Sequence, residues 1–225
     1  MDIIGIAGQL ANGKDVLADY LVNKLNHLKL EAEDYSFGVN LWNRSAFANA
    51  VKNVYCEAFN VSREFVEEWK RIQEPPEGML MNVRKGLQFI GDGFRQIKPD
   101  IWIEIALRCK NPDGTRIPIV LSDSRYINEA KHIRANGGLN IVIWRPGMEN
   151  NDPNPSESQI KPIVDFCVRT KQDGRIFLDE NQLCEYEEFP DGIQFYDYFM
   201  RNDGDVARLY ERADEELIPW ILKQK

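Results

Sequence analysis

The stretch Ile3-Ile4-Gly5-Ile6-Ala7-Gly8-Gln9-Leu10-Ala11-Asn12-Gly13-Lys14-Asp15-Val16-Leu17 decides how the rest of the chain is read. A short apolar run that stops at a glycine predicts a buried strand over 2–7. Gly8 to Lys14 then fits the pattern G-x-x-x-x-G-K. The backbone N–H groups of such a loop wrap phosphates, the following helix points its positive end at them, and the lysine reaches the outer ones. Residues 8–16, with Ala11, Asn12 and Gly13 in the turn, are therefore the candidate ATP-binding segment. The pattern normally ends in Ser or Thr, whose hydroxyl binds Mg²⁺, but Asp15 stands there. Asp15 has two readings, a Mg²⁺ ligand or a charge that favours the helix N-terminus.

Working outward, Lys14 to about residue 28 predicts a helix with Leu17, Leu21, Leu25 and Leu28 on one stripe. A second strand is expected over 32–37, and helices over 44–59, 63–71, 83–96 and 100–109. Pro75-Pro76-Glu77-Gly78 breaks that run, and Asn111 to Gly114 reads as a turn. Apolar strands are expected over 117–122 and 139–144, separated by a helix over 128–136 that stops at Gly137-Gly138. Three buried strands alternating with helices predict an α/β fold, with a mostly parallel central sheet flanked by helices on both faces. Ligands gather at the carboxyl ends of such strands, where both Gly8–Lys14 and Asp123-Ser124-Arg125 fall.

Past Arg145 the texture changes. Residues 149–156 are polar and turn-forming, and 160–192 are acidic and weakly patterned. The expectation is a mobile loop followed by an inserted hairpin or lid, over about 146–192. A last strand over 193–200 and a final helix follow, with Pro219 a kink or an end.

The chain has 225 residues, 43% hydrophobic and 28% charged, which suits one soluble α/β domain of ordinary size. No apolar run approaches the ~20 residues that span a bilayer, so no membrane partner is expected. No leader is read at the N-terminus, and four dispersed cysteines without a C-x-x-C pair fit reduced thiols in a cytoplasm. The net charge of −8 is uneven, +1 over residues 1–145 and −9 over 146–225. An acidic final third disfavours wholesale nucleic-acid binding. A small anionic ligand remains compatible, and so does a homodimer.

Asp123, after an apolar strand, is a candidate Mg²⁺ ligand, and Arg125 a candidate to face a transferring phosphoryl group. The alternative is a helix-capping Asp and a surface Arg. Arg84 and Gln88, four residues apart, share a helix face. They suit a bidentate phosphate contact and a base edge, or are simply exposed. Trp102 reads as core, or beside Asp100 as a wall of a base pocket.

Taken together, several pieces resemble the deoxynucleoside monophosphate kinases of tailed bacteriophages and their bacterial relatives, within the P-loop kinases. These are Gly8 to Leu21 with its Lys14-Asp15, and Val83-Arg84-Lys85-Gly86-Leu87-Gln88-Phe89-Ile90-Gly91 followed by Pro99-Asp100-Ile101-Trp102. They also include Asp123-Ser124-Arg125 with Asn128-Glu129, Arg145-Pro146-Gly147, Pro155-Ser156-Glu157 and Asn202-Asp203-Gly204. The family often has Thr where this chain has Val16 and Asp92. The resemblance implies one P-loop kinase domain over 1–225, with a substrate-binding helical region at about 40–110. It implies ATP and Mg²⁺ as cofactors, and transfer to a deoxynucleoside monophosphate. Lys14, Asp123 and Arg125 would be catalytic and Asp15 and Asp123 would hold the metal. Arg84, Gln88, Arg95, Asp100 and Trp102 would bind the substrate. Two other functions stay open: a kinase of this fold acting on another acceptor, such as a hydroxymethylated base in DNA, and a nucleotide-binding protein without transfer.

Overall fold

Ile3–Ala7 forms β1, and all five residues are buried. The computed structural model describes residues 1–32, 41–108, 110–111, 113–148, 158–177 and 189–224. The chain divides into two compact units, one made of residues 1–45 with 110–225 and the other of residues 46–109.

In the first unit α1 runs Lys14–Ala32, β2 is Asn43–Ser45, β3 is Ile119–Ser124, α6 is Ile127–Ala135 and β4 is Leu139–Trp144. Then come α7 at Lys161–Arg169, β5 at Gly174–Arg175, β6 at Tyr198–Arg201, α8 at Val206–Arg212 and α9 at Ile218–Leu222. The sheet order is β2-β3-β1-β4-β6-β5. Every pairing is parallel except β5 with β6. On one face Leu17, Leu21 and Leu25 of α1 and Leu209, Leu217 and Ile221 near the C-terminus pack on Ile4, Ile6, Ile141 and Ile143. On the other, Ala130 of α6 and Ile163, Val164 and Cys167 of α7 pack on Ala7, Val142 and Phe199. The sheet is thus covered on both faces, as parallel strands require. Tyr20 stacks on Tyr210 with centroids 4.0 Å apart, tying α1 to α8.

The second unit is helical, with α2 at Phe47–Phe59, α3 at Arg63–Trp69, α4 at Val83–Ile97 and α5 at Ile101–Ala106. Ser62 and Asn82 cap α3 and α4 by accepting from the N–H groups of Phe65 and Lys85 at 3.1 and 2.9 Å. Its core is Tyr55, Val66 and Val83, with Trp69, Leu87 and Ile90 packed around them.

Two expectations need correction, the start of the helix over 44–59 and the extent of the last strand. The helix expected over 44–59 starts only at Phe47, and Arg44 lies in β2. Three polar residues on a sheet edge carry no apolar alternation, so the strand has no signature in the sequence. Of the strand expected over 32–37, Ala32 closes α1 and residues 33–37 lie outside the described residues. Within the stretch expected as an inserted hairpin or lid, α7 buries Ile163, Val164, Phe166 and Cys167 in the core. Residues 149–157 and 178–188 lie outside the description, as does Pro155-Ser156-Glu157. Only Tyr198–Arg201 of the last expected strand is extended, after a short 3₁₀ turn at Ile193–Phe195.

Pro219 does not end the final helix, which runs on to Leu222. A π-helical turn over Ala213–Leu217 precedes it. The wider turn relieves the clash that a proline ring makes with the carbonyl four residues back.

In the helical unit Glu67 accepts from Lys52 at 2.6 Å, from Arg63 Nε at 3.3 Å and from Lys70. Partial burial would raise its carboxyl, but the lysine hydrogen bonds and charges outweigh this and lower it from 4.5 to about 2. A carboxyl lowered on folding adds stability above its unfolded value and gives it up as pH falls. Glu67→Gln should therefore cost about 1 kcal/mol at neutral pH, after discounting for its partial exposure. The difference from the parent should shrink between about pH 4.5 and about 2, which urea melts at pH 7 and pH 3 will measure.

Candidate active site

The glycine-rich turn leaves β1 at the carboxyl edge of the parallel sheet and runs directly into α1. Gly8 has φ +149° and Gly13 has φ +97°, and Ala11 itself adopts a left-handed φ of +63°. A Cβ at Gly13 would come 2.7 Å from Asn202 Nδ2, and one at Gly8 would overlap the Ile143 carbonyl. Both positions therefore need glycine for conformation and for space.

The loop is anchored from two neighbouring strands. Asn12 is fully buried, and its Oδ1 accepts from the backbone N–H of Arg145, just past β4. Asn202, just past β6, donates through Nδ2 to the Asn12 carbonyl at 3.0 Å, while its own N–H donates to the Trp144 carbonyl at 2.7 Å. The Arg145 guanidinium reaches the Gly204 carbonyl at 3.3 Å. Lys14 is buried, and its ammonium donates to the Gln9 carbonyl at 2.5 Å, so it curls over its own loop. A positive charge and a helix N-terminus face one turn, an arrangement that can hold an anion.

Asp15 is an exposed side chain in the first turn of α1. It forms an ion pair with Arg44 from β2 and accepts from Ser122 Oγ of β3 at 3.0 Å. Arg44 also grips Asp19, one helical turn further on, at 2.7 and 2.6 Å. Partial burial would lower the Arg44 guanidinium, but the Asp19 hydrogen bond and both carboxylate charges raise it. Val16 is half-buried against the core face of α1.

Asp123 is half-buried in β3, where the ladder slips. Gly5 pairs with Leu121 but Ala7 with Ser124, so Ser122 and Asp123 together oppose Ile6. Such a bulge re-aims side chains at a strand end. Arg125 follows the strand, and its backbone N–H donates to Glu129 Oε2 at 2.8 Å. Lys14, Asp15, Asp123 and Arg125 thus all belong to the carboxyl edge of the first unit's sheet.

The substrate candidates lie in the helical unit. Arg84 is exposed and Gln88 half-buried on α4, and Arg95 pairs with Asp92 at 3.6 Å. Asp100 precedes α5 without a side-chain capping bond. Trp102 does not line a base pocket. It is 1% exposed, its Nε1 donates to the Gly91 carbonyl at 2.9 Å, and it packs on Phe94. A large apolar ring with its one polar atom satisfied belongs in a core. Trp102→Ala should cost about 3–5 kcal/mol in a denaturant melt. Trp102→Phe should leave any acceptor KM unchanged, and a tenfold rise without loss of stability would restore the ring to a binding role.

Arg44 and Ser122 are the residues at this edge that sequence reasoning passed over, whereas Asn202 was read only as part of Asn202-Asp203-Gly204. The signal for Ser122 was a hydroxyl inside the otherwise apolar run Ile119-Val120-Leu121. Arg44 had none.

The fold and this edge define a three-layer α/β protein with a glycine-rich loop between its first strand and first helix. No family model matches the chain. It is similar to a mimivirus protein from Acanthamoeba polyphaga mimivirus named "Putative deoxynucleotide monophosphate kinase", at 28% identity over 185 residues, 75% of this chain and 86% of that one. Among solved structures, it aligns with a dephospho-CoA kinase from Campylobacter jejuni over 99% and 98% of the two chains, at 12% identity and a TM-score of 0.42. It aligns with a sugar kinase from Janibacter sp. HTCC2649 over 97% and 95%, at 11% identity and a TM-score of 0.34. At those scores neither structural likeness speaks to chemistry. No helix among the described residues is long and apolar enough to cross a membrane.

Proposed function

We propose that this chain is an ATP-dependent kinase that transfers the γ-phosphoryl group to the 5′-phosphate of a deoxynucleoside monophosphate, forming the diphosphate. The observation that carries the reading is the loop of residues 8–14, held by Asn12 and Asn202 at the head of α1, with Lys14 folded over it. The similarity to the mimivirus protein over three quarters of the chain supports the choice of acceptor.

Phosphoryl transfer needs positioning and charge stabilisation more than covalent chemistry. In this reading the amides of Gly8 to Gly13 cradle the nucleotide, and Lys14 exchanges its bond to Gln9 for the outer phosphates. Arg125 offsets charge on the transferred group. Arg84, Gln88, Arg95 and Asp100 of the helical unit recognise the acceptor. The donor set at the sheet edge, the carboxylates of Asp15 and Asp123 with the Ser122 hydroxyl, suits a hard cation such as Mg²⁺. No cluster of three or more acidic, His or Cys side chains suited to a metal occurs among the described residues. When bound, Mg²⁺ neutralises the developing charge on the phosphate oxygens.

A coupled assay of ADP release, run with dAMP, dCMP, dGMP, dTMP and hydroxymethylated monophosphates, tests the reading. Turnover with at least one of them is expected. Tight ATP binding with no turnover on any monophosphate sinks it in favour of a nucleotide-binding protein without transfer. Activity confined to a polymeric acceptor points to the DNA-base alternative.

A further inference from the structure

Gly13 is the last residue before α1, and its carbonyl accepts from the Leu17 N–H at 3.0 Å to open the helix. Its own N–H has no hydrogen-bond partner among the described residues, as befits a donor ahead of a helix's first turn. The direction of that N–H is set by the peptide it shares with Asn12. A planar trans peptide points its C=O and its N–H to opposite sides, so whatever holds the Asn12 carbonyl also aims the Gly13 amide. Asn202 holds it. Its Nδ2 donates to that carbonyl at 3.0 Å and lies 2.7 Å from where a Cβ on Gly13 would stand.

We propose that Asn202 is a positioning residue for nucleotide binding, which locks the peptide between Asn12 and Gly13 with its N–H turned to the phosphates. The inference rests on the kinase reading above. Three observations carry it. The peptide is able to turn over, because Gly13 has φ +97° and glycine adopts either sign of φ at little cost. Turned over, it would present a carbonyl oxygen to an anion in place of a donor. The other bonds of Asn12 leave its carbonyl untouched: Oδ1 accepts from the Arg145 N–H, Nδ2 donates to the Leu10 carbonyl at 3.3 Å, and the backbone N–H donates to the Gln9 carbonyl at 3.4 Å. Asn202 is itself immobilised. It is 4% exposed and donates its backbone N–H to the Trp144 carbonyl at 2.7 Å, so the ladder of β4 with β6 fixes where its amide stands.

The test uses the full chain labelled with ¹³C-carbonyl asparagine and ¹⁵N-glycine, in which only an Asn-Gly peptide gives a carbon–nitrogen correlated amide signal. The sequence has two such peptides, Asn12-Gly13 and Asn136-Gly137, so the second is an internal control. In the parent, the non-hydrolysable analogue AMP-PNP should move the Gly13 signal downfield and leave the Gly137 signal in place. Asn202→Ala should shift or broaden the Gly13 signal before any nucleotide is added. It should also weaken binding of the fluorescent analogue MANT-ATP by about tenfold or more. Asn202→Leu keeps the branched shape without a donor or a charge, so it should behave as Asn202→Ala does, and it decides the matter if thermal melts show the alanine variant unfolded. A lower melting temperature with the MANT-ATP affinity and the Gly13 signal unchanged makes Asn202 structural only and overturns the proposal. So does a Gly13 signal that AMP-PNP leaves unmoved in the parent, a result that needs no variant. The kinase reading survives both. A parent protein that binds neither analogue overturns that reading and this inference with it.

Discussion

Lys14→Ala should lower turnover by about two to three orders of magnitude while the protein stays folded. The ammonium is buried inside the loop and donates to the Gln9 carbonyl. Under the proposed function it trades that bond for the outer phosphates, and its loss removes a charge aimed at the place where negative charge would develop in transfer. Stability should change little, because the deletion leaves one carbonyl with a poorer partner, a cost of about 1 kcal/mol. If the lysine acts mainly in the transition state, kcat and kcat/KM fall together and ATP affinity falls less. The ADP-release assay measures the first two, and MANT-ATP titration the third. Activity within tenfold of the parent would remove Lys14 from the mechanism.

Gly8→Ala should be more severe for the fold. Gly8 has a positive φ that side chains rarely adopt, and the added Cβ would overlap the backbone carbonyl of Ile143 in β4. A flexible side chain could swing aside, but a carbonyl in a central strand of the sheet cannot without breaking the ladder. Backbone strain and overpacking each cost about 1–3 kcal/mol, so the variant should lose about 3 kcal/mol or more. That corresponds to a midpoint lower by about 10 °C for a chain of this size. A variant that melts with the parent would show that the loop can shift without cost to the sheet. Gly13→Ala is the milder comparison, since the Cβ there meets the Asn202 side-chain amide, which can move.

How far the site was legible in the sequence follows from how local each signal is. The loop itself was legible because its glycines, lysine and following helix obey rules that act over a few residues. The strands over 3–7 and 139–144 were legible because strands buried on both faces are apolar throughout. Arg44 was not, because β2 is three polar residues long and exists only through its pairing with β3. Within residues 160–177 the stripe Ile163, Val164, Phe166 and Cys167 is broken up by Lys161, Asp165 and Arg169, and it acquires meaning only against Phe199 and Val142. Trp102 could be core or pocket wall until the Gly91 carbonyl was seen to take its N–H.

By itself, the sequence determined the parallel α/β architecture, the glycine-rich turn and the residue that follows its lysine. Short-range sterics and hydrophobic periodicity were sufficient for these. Only the tertiary structure decided what surrounds Asp15. The partners of that carboxylate come from 29 and 107 residues away in the chain. Such a meeting is set by strand order and by a one-residue slip in a ladder, neither of which leaves a local mark on the sequence. What stands in the sequence as a substitution at position 15 is, in the folded chain, one member of a set that includes Ser122 and Arg44.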